Sequence, residues 1–507
     1  MWVVKESDVD SVCKNYIGGQ WVEASSGETF ESINPANTSE VIGLFQRSRT
    51  EDVVRAIDAA HAAFPGWSRT PAPARAEILL RVGLLMEDRK EEMACLETRE
   101  MGKVLDEGRG DVQEGIDMAK YIAGEGRRLF GETVPSELRD KWAMMVRQPI
   151  GVVGLITPWN FPVAIPSWKL FPALLCGNTV VFKPAEDTPA CATRLVELFE
   201  EAGLPPGVLN LVTGYGPEAG APIVEDERVR MISFTGSSVV GREIASRAGR
   251  ALKKVMLELG GKNAMIVMPD ADLALALEGA LWGAFGTTGQ RCTATSRIIV
   301  HRDVAERFTD ELIERARDLK VGPGLEPDTD IGPLINQQQL ETVDKYTEIG
   351  RQEGASLRLG GKILRGGAYD RGFFYSPTIF DNVVYRMRIA QEEIFGPTVA
   401  ILPVSSYEEA VTVANSTEYG LSSSIYTQDV NTAFRAMRDL EAGITYVNAP
   451  TIGAEIQLPF GGVKATGNGH REAGTSAIKE FTEIKSIYVD YSGKLQRAQI
   501  DVEQHGA

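Results

Sequence analysis

From Thr50 to Arg128 apolar residues recur at spacings of three and four, as in Val53-Val54-Ile57-Ala60 and Ile78-Leu79-Val82-Leu85, a period that predicts amphipathic helices. That stretch shows no chemistry and reads as scaffold. From Pro149 the texture changes to short β-branched runs alternating with helical segments: GVVGLIT, NTVVFK, VLNLV, VRMISF and KVMLEL. Runs of this kind are strands buried on both faces, so the expected architecture is α/β with a parallel, doubly wound sheet. After NTVVFK, Thr188 suits an N-cap, Pro189 the first helical position and Gly203 the far end. Lys183 to Glu186 then form a strand-to-helix loop at the carboxyl edge of the sheet, where ligands bind. A second α/β series, with AMIVM, ATSRIIVH, PTVAILPV and SSSIYT, runs from about Asn263 to Gly443 and reads as a second domain. The segments Arg128 to Arg147 and Ile484 to Tyr491 remain as candidate strands outside both cores, of a kind that seeks another subunit.

A chain of 507 residues exceeds one ordinary core and implies two or three domains. With 43% hydrophobic and 24% charged residues it is globular, neither disordered nor fibrous. The formal net charge of -17 repels a polyanion, so nucleic acid is not an expected partner. Five scattered cysteines, at 13, 95, 176, 191 and 292, make no CxxC pair and no zinc spacing; no metal is expected, and a reducing compartment is. The beginning, MWVVKESDVDSVCKNY, has acids where a signal peptide is apolar, and no run approaches the roughly 20 apolar residues of a membrane span. A cytoplasmic protein without membrane association is expected.

Three places carry candidate chemistry. In FGTTGQRCTATS, Cys292 sits among small residues just before a strand. A buried cysteine acting as a small hydrophobe is the ordinary alternative, but Arg291 and the glycine-rich backbone favour a thiolate nucleophile. In LELGGKN, Glu258 closes an apolar strand, where a carboxylate is either solvated or functional; facing the cysteine, it suits a general base. In PWNFP, Asn160 is either a turn residue or an amide donor to an oxyanion, a contribution of roughly 3 kcal/mol. The dinucleotide fingerprint GxGxxG is absent, but GYGPEAG (214–220) and FTGSSVVG (234–241) each place glycines between a strand and a helix, where a pyrophosphate can approach. KPAE adds Lys183 and Glu186, suited to ribose hydroxyls.

Cys292, Glu258, Asn160 and KPAE, in this arrangement, resemble the aldehyde dehydrogenase superfamily, and the likeness extends from NYIGGQWV through INPA and EEIFGP to PFGG. The resemblance implies a nucleophile at Cys292, a general base at Glu258, an oxyanion site made by Asn160 and the Cys292 N–H, and a catalytic position for Lys169. It implies NAD or NADP, with NAD slightly favoured, lined by Thr157, Pro158, Trp159, Lys183, Ala185, Glu186, Gly216, Gly220, Phe234, Gly236, Ser237, Leu259, Glu393 and Phe395, with Glu393 on the nicotinamide ribose. It also implies a variant Rossmann nucleotide-binding domain (1–127 and 148–259), an α/β catalytic domain (260–477) and a small β oligomerisation element (128–147 and 478–507) serving a homodimer or homotetramer. Members that pass the acyl group to coenzyme A generally lack the glutamate, so hydrolysis is favoured over acylation of coenzyme A. The intact catalytic set argues against an idle binding or structural relative.

For the substrate, WNFPVAIPSWK and GAEIQLPFGGVKATGNGHREAG are similar to a branch oxidising 2,5-dioxopentanoate, the α-ketoglutaric semialdehyde. Trp168 stands where the succinate-semialdehyde branch carries an arginine. Arg291 suits bidentate pairing with a distal carboxylate, with a structural or thiolate-stabilising arginine as the alternative. Phe161, Trp168 and Phe460 near the expected tunnel keep a broad-specificity aliphatic or aromatic aldehyde dehydrogenase open as well.

Overall fold

The computed structural model describes residues 12–501. Residues 1–11, at the start of the expected nucleotide-binding domain, and residues 502–507 of the expected terminal element lie outside the described residues.

Five parallel strands form most of one sheet, in the order Lys254–Glu258, Val229–Thr235, Val152–Ile156, Thr179–Lys183 and Leu209–Leu211. Chain order runs outward in both directions from Val152–Ile156, the doubly wound pattern, which opens a crevice at the carboxyl ends beside that strand. Every residue of Val152–Ile156 and Thr179–Lys183 is buried, which is why their runs carry no polar alternation. The helix after Thr179–Lys183 spans Pro189–Glu201 with Thr188 at the N-cap position, and Gly203 beyond its end adopts φ +85°. The Thr188 hydroxyl, however, makes no cap; it is buried without a partner. Geometry places the N-cap, while the hydroxyl contact expected of it is missing.

Before Thr50, where the sequence pattern predicts no strand, the structure has several. Asn15–Ile17 and Gln20–Val22 form a hairpin that extends the first sheet antiparallel, turning through Gly18 (φ +63°) and Gly19 (φ +81°). Positive φ at both turn positions needs glycine, and a Cβ on Gly19 would come within 2.6 Å of Pro206. Val12–Cys13, Asn37–Gln46 and Thr29–Asn34 make a separate small sheet. Four helices follow, Thr50–Arg69, Ala72–Asp88, Lys90–Met101 and Leu105–Gly124, with Val53, Ile57, Ala60, Leu79 and Val82 fully buried as their period predicts.

The second sheet orders Ser356–Leu359, Thr378–Asp381, Thr398–Val404, Thr295–His301, Asn263–Val267, Ser422–Tyr426 and Ile444–Val447, parallel except at the Ser356–Leu359 edge. The chain passes from the first sheet to the second through Leu259, Gly260, Gly261 and Lys262 alone, since Glu258 ends one strand and Asn263 begins the next. The leftover segments pair with each other: Glu132–Val134, Lys141–Pro149 and Thr482–Asp490 form a three-stranded antiparallel sheet. No helix among the described residues is long and apolar enough to cross a membrane.

Candidate active site

Cys292 lies between the two large sheets, just before the strand Thr295–His301. Its backbone is clamped: the Asn263 amide donates to the Cys292 carbonyl at 2.8 Å and to that of Ala294 at 2.9 Å. Gly261 passes so close that a Cβ there would sit 2.5 Å from the Cys292 oxygen, and one on Gly260 would fall 2.1 Å from the Glu393 carboxylate. The paired glycines of LELGGKN are therefore a close-approach requirement. The backbone N–H groups of Cys292 and Thr293 favour the thiolate, but burial, Glu393 and Glu258 outweigh them and push the thiol up to about 12. This corrects the expectation of a thiolate favoured by Arg291. The guanidinium is held elsewhere, donating to Thr287 Oγ1 at 2.8 Å and Glu107 Oε1 at 3.2 Å between the rings of Phe161 and Trp282.

Glu258 shares a cavity of about 680 Å³ with Cys292, so strand end and thiol do face one space. Its Oε2 is buried without a partner. Burial, then the neighbouring Glu472, hold its carboxyl well above the ordinary carboxylate range against the pull of Lys169 and Arg471. Lys169, fully buried, donates to Ser233 Oγ at 2.9 Å and pairs with Glu472. Asn160 is buried with its amide donating to the Gln290 carbonyl at 3.1 Å, which fixes its orientation beside the Cys292 loop. Much of the remaining wall is apolar, with Phe161, Ile165, Trp168 and Phe460, the last two edge-on at 4.8 Å. Arg291 lines it too.

A second, larger groove of about 1710 Å³ opens at the crevice of the first sheet. Thr157, Pro158, Trp159, Lys183, Ala185, Glu186, Gly216, Gly220, Phe234, Gly236 and Ser237 all line it. Ser237 caps the helix Ser238–Arg250, its hydroxyl accepting from the Val240 N–H, so the positive helix end opens onto the groove. A Cβ on Gly216 would meet nothing within 4 Å, leaving the floor open to a ligand. Lys183 and Glu186 pair at 3.0 Å on the opposite wall. Helix end, the Lys183–Glu186 pair and the open glycine together fit a dinucleotide.

Three further residues expected at the cofactor border neighbouring spaces. Leu259 lines the thiol cavity, because the chain has already turned toward the second sheet. Glu393 is drawn onto the glycine turn, where its Oε1 accepts from the Gly261 N–H at 2.9 Å, and Phe395 packs edge-on against Trp159 at 5.4 Å. Both border a separate cleft with Gly289 and Thr295. Missed entirely were Glu114 and Glu472 in the thiol cavity, and Asp187 and Asn336, whose hydrogen bond at 3.0 Å crosses the groove. The stretch read as scaffold thus supplies Glu114 and Glu107. Its one legible signal was acids at helical spacing beside glycines: Glu107-Gly108, then Asp111, then Glu114-Gly115.

The aldehyde dehydrogenase family model matches residues 21–487. An alpha-ketoglutaric semialdehyde dehydrogenase of Bacillus subtilis is 45% identical over 475 residues, 94% of this chain and 97% of the relative. A 2,5-dioxopentanoate dehydrogenase of Saccharolobus solfataricus is 42% identical over 94% of this chain and 99% of its own length. Among solved structures, betaine aldehyde dehydrogenase from Staphylococcus aureus in complex with NAD+ superposes with a TM-score of 0.93 at 36% identity, covering 95% of this chain and 96% of that one. Matched along nearly its whole length, the chain belongs to the aldehyde dehydrogenase family and is an NAD(P)-dependent oxidoreductase acting on aldehydes.

Proposed function

We propose that Cys292 carries the aldehyde as a thiohemiacetal and then a thioester, that Glu258 directs its hydrolysis, and that the substrate is a carboxylate-bearing semialdehyde such as 2,5-dioxopentanoate. The observation that carries the chemistry is the shared cavity: a thiol and a partner-free buried carboxylate look onto one space. As the C–S bond forms, the thiol proton leaves for a base and the carbonyl oxygen becomes an oxyanion, received by the second N–H of the Asn160 amide and the Cys292 N–H. The Thr157–Trp159 and Gly236–Ser237 walls would hold a nicotinamide, which would supply the hydride acceptor, and Glu393 would have to leave the glycine turn to reach its ribose. Loss of hydride leaves the thioester. Water then adds to its carbonyl carbon, giving up a proton to Glu258, and the C–S bond breaks to return the thiol and release the carboxylate. A carboxyl with raised pKa is matched to that task. Lys169 and Glu472 offer the proton an exit from Glu258.

The substrate assignment is supported by a polar end to an otherwise apolar cavity. Trp168 Nε1–H is buried without a partner among the described residues, and Arg291 stands in the same wall. A plain alkyl chain leaves that donor unsatisfied, at a cost of about 1–3 kcal/mol. Steady-state assays of NAD reduction test the whole assignment. Turnover of 2,5-dioxopentanoate should exceed that of hexanal in kcat/KM, Cys292→Ala should reduce no NAD, and Glu258→Gln should give one burst and stall. Full activity of Cys292→Ala sinks the mechanism; equal rates with hexanal or benzaldehyde sink the substrate.

We further propose a division into a nucleotide-binding domain around the first sheet, a catalytic domain around the second, and an oligomerisation element on the three-stranded sheet, which joins a homodimer or homotetramer. With all five cysteines free, a cytoplasmic location suits the reactive thiol.

A further inference from the structure

The thiol cavity contains an acid for which the mechanism has no use. Glu107, Asp111 and Glu114 follow one another at spacings of four and three on the helix Leu105–Gly124, so they share a face. Glu107 accepts from Arg291 and from the Thr287 N–H at 2.6 Å, and Asp111 accepts from Lys103 at 2.9 Å and from the Ala164 N–H at 2.5 Å. Glu114 lines the cavity with Phe161, Trp168 and Arg291, and among the described residues no hydrogen bond or ion pair holds its carboxyl. The helix comes this near because Gly115 has no side chain; a Cβ there would meet Met86 at 2.9 Å and Ser167 Oγ at 3.0 Å.

We propose that Glu114 determines substrate specificity, its carboxyl donating a hydrogen bond to the distal oxygens of an aldehyde whose carboxylate is held by Arg291. The inference rests on the carboxylate-reading function above. An ionised Glu114 would act in the opposite sense, since two carboxylates in a dry cavity repel. Burial first, and then Asp111 and Asp117 on the same helix, push Glu114 up to about 8 against Arg291 and Lys103, while Tyr446 faces it from the second sheet. The acid is therefore neutral at pH 7 and a donor there. Arg291 and Trp168 line the same cavity as Glu114, and the Arg291 guanidinium is close enough to act on the Glu114 carboxyl.

The test is the ratio of kcat/KM for 2,5-dioxopentanoate to that for hexanal between about pH 6 and 10, since titrations of Cys292 and Glu258 common to both substrates cancel. In the wild type the ratio should hold to about pH 8 and then fall, approaching tenfold per pH unit. In Glu114→Gln the amide still donates, so the ratio should persist at pH 7 and lose its fall above pH 8. In Glu114→Leu it should drop about tenfold at pH 7, the loss of one hydrogen bond to a charged group. A rise in the ratio at pH 7 in Glu114→Gln overturns the proposal, because the acid is then ionised and opposes binding. So does a ratio indifferent to pH and to both substitutions, which leaves the semialdehyde assignment standing. A wild type that shows no preference for 2,5-dioxopentanoate at any pH removes that assignment, and this inference with it, before any variant is made.

Discussion

A thiol held near 12 is almost wholly protonated at pH 7, and so a weak nucleophile until its surroundings change. Two of the groups that hold it there are carboxylates, and Glu393 contributes more than Glu258. Burial puts Glu393 itself near 7, with the Gly261 N–H drawing it down. If that carboxylate leaves the glycine turn for a ribose hydroxyl, the thiol loses its nearest source of repulsion as the cofactor arrives. Alkylation of Cys292 by iodoacetamide, read by mass spectrometry at that peptide, checks this. The sign is fixed: a raised thiol pKa means that thiolate grows with pH, about tenfold per unit, without levelling off below pH 10. Glu393→Gln should react faster at every pH, and added NAD should speed the wild type. A Glu393→Gln protein no faster than wild type removes Glu393 as the restraint.

Among the elements, the strand Thr179–Lys183 and the loop after it are expected to set the cofactor preference. Glu186 presents a carboxylate that accepts from a free 2′-hydroxyl and repels a 2′-phosphate, softened by its pairing with Lys183 at 3.0 Å. NAD should bind at least as tightly as NADP, and Glu186→Gln should move the ratio of dissociation constants toward NADP by about tenfold or less. A strong NADP preference in the wild type overturns the assignment. This loop was legible because the strand before it is apolar at three of five positions and the helix after it starts at a proline. The row Glu107, Asp111, Glu114 has just as regular a spacing, yet acids on a helix ordinarily mean a solvated face; Arg291 and most of the cavity wall, which they meet, come from segments distant in the chain. Asp187 and Asn336 lie 149 positions apart, and nothing local marks either one. The hairpin strands Asn15–Ile17 and Gln20–Val22 escaped because three residues each are too few to show a period.

On the scale of the whole molecule, the three-stranded sheet leaves large apolar side chains in solvent: Trp142 is 59% exposed, Ile484 59% and Tyr488 68%. Thr482–Asp490 is also an edge strand, with one row of backbone groups unpaired. Light scattering should give the mass of a dimer or tetramer, and Tyr488→Asp should shift it to a smaller species. A monomeric wild type at micromolar concentration would remove the interface.

Leu259, Gly260, Gly261 and Lys262 carry a further consequence, because they are all that links the last strand of one sheet to the first strand of its neighbour. Glu258 belongs to one side of that join and Cys292 to the other, so neither half holds a working pair. Gentle heating or dilute urea that merely loosens one sheet against the other should silence turnover while circular dichroism still reports intact helices and strands, making catalysis the earliest sensor of this protein's damage.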